Sequence, residues 1–323
     1  MTPLETYLSS RPQSASPWNP LHARLSPVAP ALGRWLDRRM WPENLRHMRS
    51  FAPGYTYQRE DDGTWTMLWK GKPLTRSVPV AQVTARIESP VTIVASGPSS
   101  KEADWERIKQ QGRFVIAVNG ATTVLKGQGI RPDLHVIMDR HFAMSGDVHI
   151  HNSLEVPLVA THRAASVVAA RTPGIFARKR LALVERVNAW YGRETLPLEE
   201  VKRLSAESGC PFEFPVQEDR KCTIGWSRDL RVGIFSGCTV VVSALQVAVT
   251  LGATDIEIIG MDLSNQGRAY DEGSTAQPSF LQKQYAAFIL PTFEVMSRTL
   301  KGSGVKVRNL SPVCPIPASI FDL

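Results

Sequence analysis

Four short apolar runs in this chain each end in a small or polar residue, and helical stretches separate them. They are VTIVASGPSS from Val91, FVIAVNG from Phe114, DLHVIMD from Asp133 and DIEIIGMDLS from Asp255. Short continuous apolar runs bounded by turn residues suit strands that are covered on both faces. KEADWERIKQQG, closed by Gly112, and ATTVLKGQG read as the intervening helices. SGCTVVVSALQVAVTLGA reads as a buried helix, SFLQKQYAAFILPTFEVMSRTLKGSG as a further one and VKVRNLS as a last strand. Strand and helix alternating at this rate predict an α/β fold with a doubly wound, mostly parallel sheet. Between residues 145 and 230 the pattern weakens.

The first part of the chain has a different character. Residues 1–30 are rich in Pro and Ser, without a sustained period. Leu32, Trp35, Leu36 and Met40 then fall on one helical face, with Arg34, Arg38 and Arg39 beside it and Pro42 ending the pattern. The stretch from Tyr55 to Val80 alternates aromatics around Asp61-Asp62-Gly63 and turns again at Lys70-Gly71-Lys72-Pro73, which predicts a hairpin. Residues 1–85 are therefore expected to form an accessory region of basic helix and hairpin, and residues 86–323 the main α/β domain.

Composition narrows the functional classes. No stretch approaches the roughly 20 apolar residues of a membrane-spanning helix. The polar start, MTPLETYLSSRPQS, lacks the basic-then-apolar layout of a secretory signal. Cys210, Cys222, Cys238 and Cys314 show no CxxC or Cys/His spacing and are expected to be free thiols in a reducing cytoplasm. The 38 Lys and Arg outnumber 30 Asp and Glu, a net charge of +8 that suits an anionic partner. No GxGxxG follows a strand, no GxxxxGK[ST] is present, and the Asp-x-Asp pair of metal-dependent sugar transferases is missing. His149-Ile150-His151 has no third ligand nearby, so no metal site is expected.

The strand ends carry the chemistry. Ser96-Gly97-Pro98-Ser99, Asn119-Gly120, Asp139 and Gly260-Met261-Asp262 fall where open parallel sheets bind ligands, since loops there expose backbone N–H groups. Each alone also suits a plain turn or a helix cap; together in one sheet they favour a nucleotide crevice. Ser236 and Gly237 precede a helix whose first turn is read as holding Cys238 and Thr239. That arrangement makes either an anion site reinforced by the helix dipole or an ordinary Ser cap.

SGPSS, IAVNG, SGCTVVVSALQVAVTLGATDIEIIGMDLSNQGRAYDE and RNLSP followed by Ile316-Pro317 resemble the lipopolysaccharide-core transferases of 3-deoxy-octulosonate (Kdo), above all the type that adds a third Kdo. More distantly they resemble the bacterial CMP-sialic acid transferases. The resemblance covers roughly residues 90–323. It implies a modified Rossmann-type fold that works without metal, with no cofactor beyond the CMP-sugar donor. It implies that Gly97, Pro98 and Ser99 line the donor phosphate and that Asn119 and Gly120 meet the nucleotide. Ser236, Gly237 and Cys238 would sit at the sugar or phosphate, Tyr270 would assist phosphate departure, and Arg268, Asn309 and Ser311 would complete the donor set. Two features depart from the sialic acid pattern. The second tyrosine is Ser264 here, and the last histidine of the chain is His162, before the position of that family's catalytic histidine.

A base for the acceptor hydroxyl is then sought among Asp139, Glu272, Asp271 and His141. Arg140, Arg268 or Ser236 would suit the sugar carboxylate. A phosphorylated lipopolysaccharide core is the expected acceptor. Arg163, Arg171, Arg178, Lys179, Arg180 and Arg186 form a basic midsection, and the helix near Leu32 is expected to touch the inner leaflet of a cytoplasmic, peripherally bound protein. The alternatives are another CMP-nonulosonic acid transferase, of sialic or pseudaminic type, and a pterin diphosphokinase-like enzyme using ATP and Mg²⁺ at Asp271-Glu272. No nucleic-acid motif is present, and no nucleic-acid partner is expected.

Overall fold

The computed structural model describes residues 3–9, 43–207, 223–265, 267–271 and 279–323. The basic helix expected at Leu32–Met40, the acid Glu272 and the cysteines Cys210 and Cys222 lie outside them. The Tyr55–Val80 stretch forms three antiparallel strands, β1 (Tyr55–Arg59), β2 (Trp65–Trp69) and β3 (Lys72–Arg76). Tyr57, Trp65 and Met67 on one face of this small sheet pack with Ile137, Leu158, Ala160 and Leu181 in a shared core.

The remaining strands are β4 (Val91–Val94), β5 (Phe114–Val118), β6 (Leu134–Ile137), β7 (Leu158–Thr161), β8 (Leu181–Val184), β9 (Asp255–Ile259) and β10 (Lys306–Asn309). They form a 7-stranded sheet in the order β10-β9-β4-β5-β6-β7-β8, and every pairing is parallel. The chain builds outward from β4 to β8, then crosses back to lay β9 on the other side of β4. That reversal is the topological switch point, where crossover connections diverge and leave a crevice at the strand carboxyl ends.

Helices cover both faces of the sheet. They are α1 (Pro3–Ser9), α2 (Trp105–Gln110), α3 (Ala121–Gly127), α4 (Arg140–Ser145), α5 (Asp147–His151), α6 (His162–Arg171), α7 (Leu198–Glu207), α8 (Val240–Thr250), α9 (Leu281–Gln284) and α10 (Leu290–Leu300). Successive strand residues serve opposite cores, as the two-residue pleat requires. Val94, Val115 and Ala117 meet Trp105, Ile108 and Leu125; Ile93, Ile116 and Val118 join Val241, Leu245 and Phe293. The doubly wound α/β fold read from the sequence is the fold observed. β7, α6 and β8 occupy the stretch where the sequence pattern was weak.

Two buried polar devices fix the frame. Glu257 of β9 is paired with Arg113 and Arg107, each at 2.9 Å, so this carboxylate is buried with its countercharges. Gln246 of α8 accepts from Ser227 N and Phe235 N, both at 3.1 Å, and donates to Phe235 O at 2.8 Å. It thereby braces the loop that delivers Ser236. Among the described residues no helix is long and apolar enough to cross a membrane.

Candidate functional site

The loops after β4 and β9 are latched together at the switch point. Gly97 N donates to Gly260 O at 2.9 Å, Ala269 N donates to Ser96 O at 2.9 Å, and Ser99 N donates to Asp262 Oδ2 at 2.9 Å. The Ser99 hydroxyl donates to the other oxygen of the same carboxylate. The backbones approach so closely at Gly97 that any side chain would collide with Gly260 O and Asp262. Ser99 therefore belongs to the latch and is not among the residues that line the crevice; Gly97, Pro98, Gly260 and Asp262 are.

From this latch a crevice of ≈ 800 Å³ runs along the strand ends toward β8. Helix α8 points its amino end into it. The helix starts at Val240, later than the sequence suggested, because Gly237 and Cys238 take left-handed backbone conformations with φ of 48° and 56°. Thr239 is the residue before the first turn, and its side chain makes no capping bond. Ser236, Cys238, Thr239, Val240 and Val241 all face the crevice. A helix start with positive dipole and N–H groups left for a ligand is an anion-binding arrangement. Gly237 lies behind it against Thr292. Cys238 is disulfide-bonded and Cys314 is free, so the expectation of free thiols holds for Cys314 and fails for Cys238.

Tyr270 and His149 form the opposite wall. The Tyr270 ring tilts over the imidazole, with centroids 4.4 Å apart, and its hydroxyl sits directly above Gly120. Gly120 is thus the floor beneath Tyr270 and does not itself line the crevice. His149 also stacks on Phe142 and pairs through Nδ1 with Thr123 Oγ1 at 2.6 Å. Burial lowers its pKa from 6.5 to about 4, so it is a neutral imidazole at pH 7. Sequence reasoning set His149 aside as half of a metal-like spacing; nothing local announces that Tyr270, far along the chain, closes over it. His151 instead bonds Asp147 O at 2.7 Å, and no cluster of metal-ligand type occurs among the described residues.

Asn119 ends β5 at φ 48°, and its side-chain oxygen is buried without a hydrogen-bond partner. Its carbonyl is held from below. His135 Nε2 lies 2.8 Å from Asn119 O, and Nδ1 lies 2.8 Å from Ser153 Oγ. A carbonyl only accepts, so Nε2 carries the proton and Nδ1 accepts from the serine. Lys179 donates to the Ser153 carbonyl and approaches its hydroxyl at 3.4 Å. Burial, and then the Lys179 charge, lower the His135 pKa from 6.5 to about 3. Between those values the unfolded chain binds a proton that the folded one refuses, so this residue's contribution to stability is lost as pH falls. His135→Phe is expected to cost about 1–3 kcal/mol at pH 7 by orphaning the carbonyl. Its deficit against wild type should shrink by about 2.5 kcal/mol on going to pH 4.5, as read from denaturant unfolding at both pH values.

At the end of β6, Asp139 caps α4 by accepting from His141 N at 2.8 Å, and the same oxygen lies 3.2 Å from His141 Nδ1. With Nδ1–H turned to the carboxylate, Nε2 presents a lone pair, which Arg140 meets at 3.2 Å. Asp139, Arg140 and His141 line the crevice, as do Arg268, Tyr270 and Asp271.

Two expected site residues lie elsewhere. Ser311 Oγ accepts from Met261 N at 2.8 Å, and Asn309 Oδ1 accepts from Ser311 N at 3.1 Å. They prop the end of β9 from the β10 side and line no part of the crevice.

The basic midsection is not one patch either. Arg171 pairs with Asp147, Arg178 with Glu155, and Arg180 reaches Gln82 O. Lys179 is buried, while Arg163 and Arg186 line the crevice. The alternation of strand and helix across this stretch sends neighbours in sequence to different layers.

A protein-family model described as 6-hydroxymethylpterin diphosphokinase MptE-like matches residues 72–194, less than half of the chain. The chain is 25% identical over 252 residues to a probable 3-deoxy-manno-octulosonic acid transferase of Escherichia coli K12, covering 70% of this chain and 79% of that protein. A protein of the same description from Salmonella typhimurium LT2 is 25% identical over 231 residues, covering 68% of this chain and 80% of its own. Among solved structures, the sialyltransferase CstII of Campylobacter jejuni with CMP-3FNeuAc is similar at 17% identity and a TM-score of 0.39, over 70% of this chain and 83% of that one. The MAf glycosyltransferase of Magnetospirillum magneticum AMB-1 is similar at 17% identity and a TM-score of 0.40 over 72% of this chain. The match spans only 33% of that longer protein.

Proposed function

We propose that this chain is a glycosyltransferase that moves an acidic sugar from a CMP-linked donor to a saccharide acceptor, with Kdo as the sugar and the lipopolysaccharide inner core as the acceptor. The observation that carries the reading is the joint arrival of the uncapped start of α8, the orphaned Asn119 oxygen and Tyr270 on one ≈ 800 Å³ crevice. The relatives described as Kdo transferases, at 25% identity, support the choice of sugar.

In this reading the donor phosphate meets the amino end of α8 beside Ser236. Bond breaking to the phosphate runs ahead of attack, leaving positive charge on the sugar ring and negative charge on the phosphate. The α8 amides, Arg268 and the Tyr270 hydroxyl are fixed dipoles and charge for that leaving group. The acceptor hydroxyl gives its proton to the Asp139 carboxylate, whose one oxygen is held by His141 N and Nδ1 and whose other oxygen is left for the acceptor. No metal ion takes part in these steps.

A thermal-shift panel of CMP, CTP, UDP, GDP and ATP, with and without Mg²⁺, tests the donor class. A ligand at a hundredfold excess over Kd adds about 2.7 kcal/mol of stability. A shift with CMP or CTP that ignores Mg²⁺ is expected. The match of residues 72–194 to the diphosphokinase-like family favours a second reading, pyrophosphoryl transfer from ATP. A Mg²⁺-dependent shift with ATP alone would establish that reading in place of the first. For the base, Asp139→Asn is expected to lower turnover about 100-fold while leaving the CMP shift intact; near-normal turnover would remove the Asp139–His141 pair from the mechanism.

A further inference from the structure

His149 has no part in the chemistry above beyond lying against Tyr270, yet its backbone and its ring are both fixed. Two neighbouring threonines of α3 hold it. The Thr122 hydroxyl donates to His149 O at 2.8 Å, and Thr123 Oγ1 lies 2.6 Å from His149 Nδ1. Phe142 stacks on the imidazole with ring centroids 5.5 Å apart, and Tyr270 tilts over it at 4.4 Å.

A lysine sets the direction of each hydrogen bond leading to the ring. Lys126 Nζ meets Asn152 Oδ1 at 3.0 Å, and since an ammonium only donates, the amide oxygen is the atom that faces it. The amide nitrogen, which also only donates, then faces Thr123 Oγ1 at 2.9 Å. The Thr123 hydroxyl proton has no other acceptor among the described residues, so it goes to His149 Nδ1. In a neutral imidazole the ring proton then sits on Nε2. Burial holds the pKa at about 4, so the ring stays uncharged around neutral pH. Nε2 bonds no described residue and is not sealed from solvent, and His149 lines the crevice. The lone pair that a base would need is taken by Thr123. What the ring offers the crevice is an N–H.

Tyr270 indicates what that N–H meets. The two rings are in contact, and the Tyr270 hydroxyl sits over Gly120, whose carbonyl accepts Thr123 N at the start of α3. Hydroxyl and imidazole N–H therefore stand at one place on the wall, within reach of the oxygens of a single phosphate. We propose that His149 is a catalytic residue whose Nε2–H donates a hydrogen bond to the nucleotide phosphate that the Tyr270 hydroxyl meets, with Thr123 and Asn152 as positioning residues that hold the ring in its donating tautomer. A neutral donor of fixed direction stabilises charge gathering on a leaving phosphate without giving up its proton. The proposal rests on the transferase reading for the identity of that phosphate.

Nitrogen NMR of the full chain, labelled at its histidines, tests the tautomer, with the His149 signals identified by their loss in His149→Phe. A proton on Nε2 and none on Nδ1 is expected at pH 7; the reverse overturns the proposal. The Nε2 signal should move on saturation with CMP. In turnover of CMP-Kdo, His149→Phe keeps the ring stack and should fall about 100-fold, with the apparent pKa values of the pH–rate profile unchanged. His149→Gln, which can present an N–H, should recover part of the loss. Thr123→Val should fall about tenfold, and combined with His149→Phe it should be no slower than His149→Phe alone, a coupling that a merely structural threonine would not show. Near-normal turnover in His149→Phe, or a shifted pH–rate profile, overturns the donor role. A wild-type chain whose Nε2 signal answers to ATP with Mg²⁺ and not to CMP sinks the transferase reading and keeps the donor. No response to either nucleotide overturns the donor.

Discussion

Gly97→Ala is expected to destabilise the protein by about 3 kcal/mol or more and to eliminate the nucleotide-induced thermal shift. An added Cβ would stand 2.4 Å from Gly260 O and 2.6 Å from Asp262 Oδ2. Neither obstacle can yield cheaply. Gly260 O already accepts the Gly97 amide, and Asp262, 4% exposed, is tied to Ser99. Overpacking of this kind costs about 1–3 kcal/mol, and each hydrogen bond lost with the latch adds about 1 kcal/mol. Urea unfolding and a CMP titration on the same preparation read both effects. Wild-type stability in this variant would mean that the loops after β4 and β9 are not held as one body.

Gly120→Ala should behave in the opposite way, keeping the fold and losing turnover. The new Cβ would lie 2.0 Å from the Tyr270 hydroxyl and 2.4 Å from the ring carbon that bears it. Tyr270 follows β9 and is half-buried, not part of the core, so its ring is expected to turn aside for the added methyl, taking its hydroxyl from the leaving phosphate. A fall in turnover of about 100-fold is expected, the usual scale for one donor aimed at developing charge. Tyr270→Phe removes the hydroxyl without moving the backbone and should fall by a similar factor. The double variant should be no slower than either single one, because both act on the same group. Additive losses would show that Gly120 serves the reaction by another route.

The sheet was legible because strands covered on both faces leave unbroken apolar runs, and VTIV, FVIAV and DIEII are such runs. The switch point was legible for the same reason, since the glycine and asparagine ends follow those runs directly. β7 and β8 are runs of four residues each, LVAT and LALV, set among Arg, His and Lys. The sequence shows them only within a basic midsection that groups Arg163 and Arg186 with Arg171, Arg178, Lys179 and Arg180, which the fold sends to different layers. His135 sits inside an apolar strand, where a sequence cannot say that its two nitrogens span Asn119 and Ser153. The pairing of His149 with Tyr270 joins residues 121 positions apart through the placement of two loops, and no local pattern encodes that. Asn309 and Ser311 show the converse. Motif order placed them with the donor, whereas β10 lies at the outer edge of the sheet, beyond β9.

The crevice is lined from the carboxyl ends of β4 through β9, each loop rooted in its own strand. The loop after β8 does not stand alone, since Ile234 N donates to Glu185 O and Val187 N donates to Ile234 O, in the segment that delivers Ser236. A backbone change at residues 185–187 therefore reaches the start of α8, whereas the hydrogen bonds joining Gly97, Ser99, Gly260 and Asp262 involve none of those residues. Redirecting such a chain at its β8 end calls for moving the β7–β8 segment together with residues 234–236 as one graft.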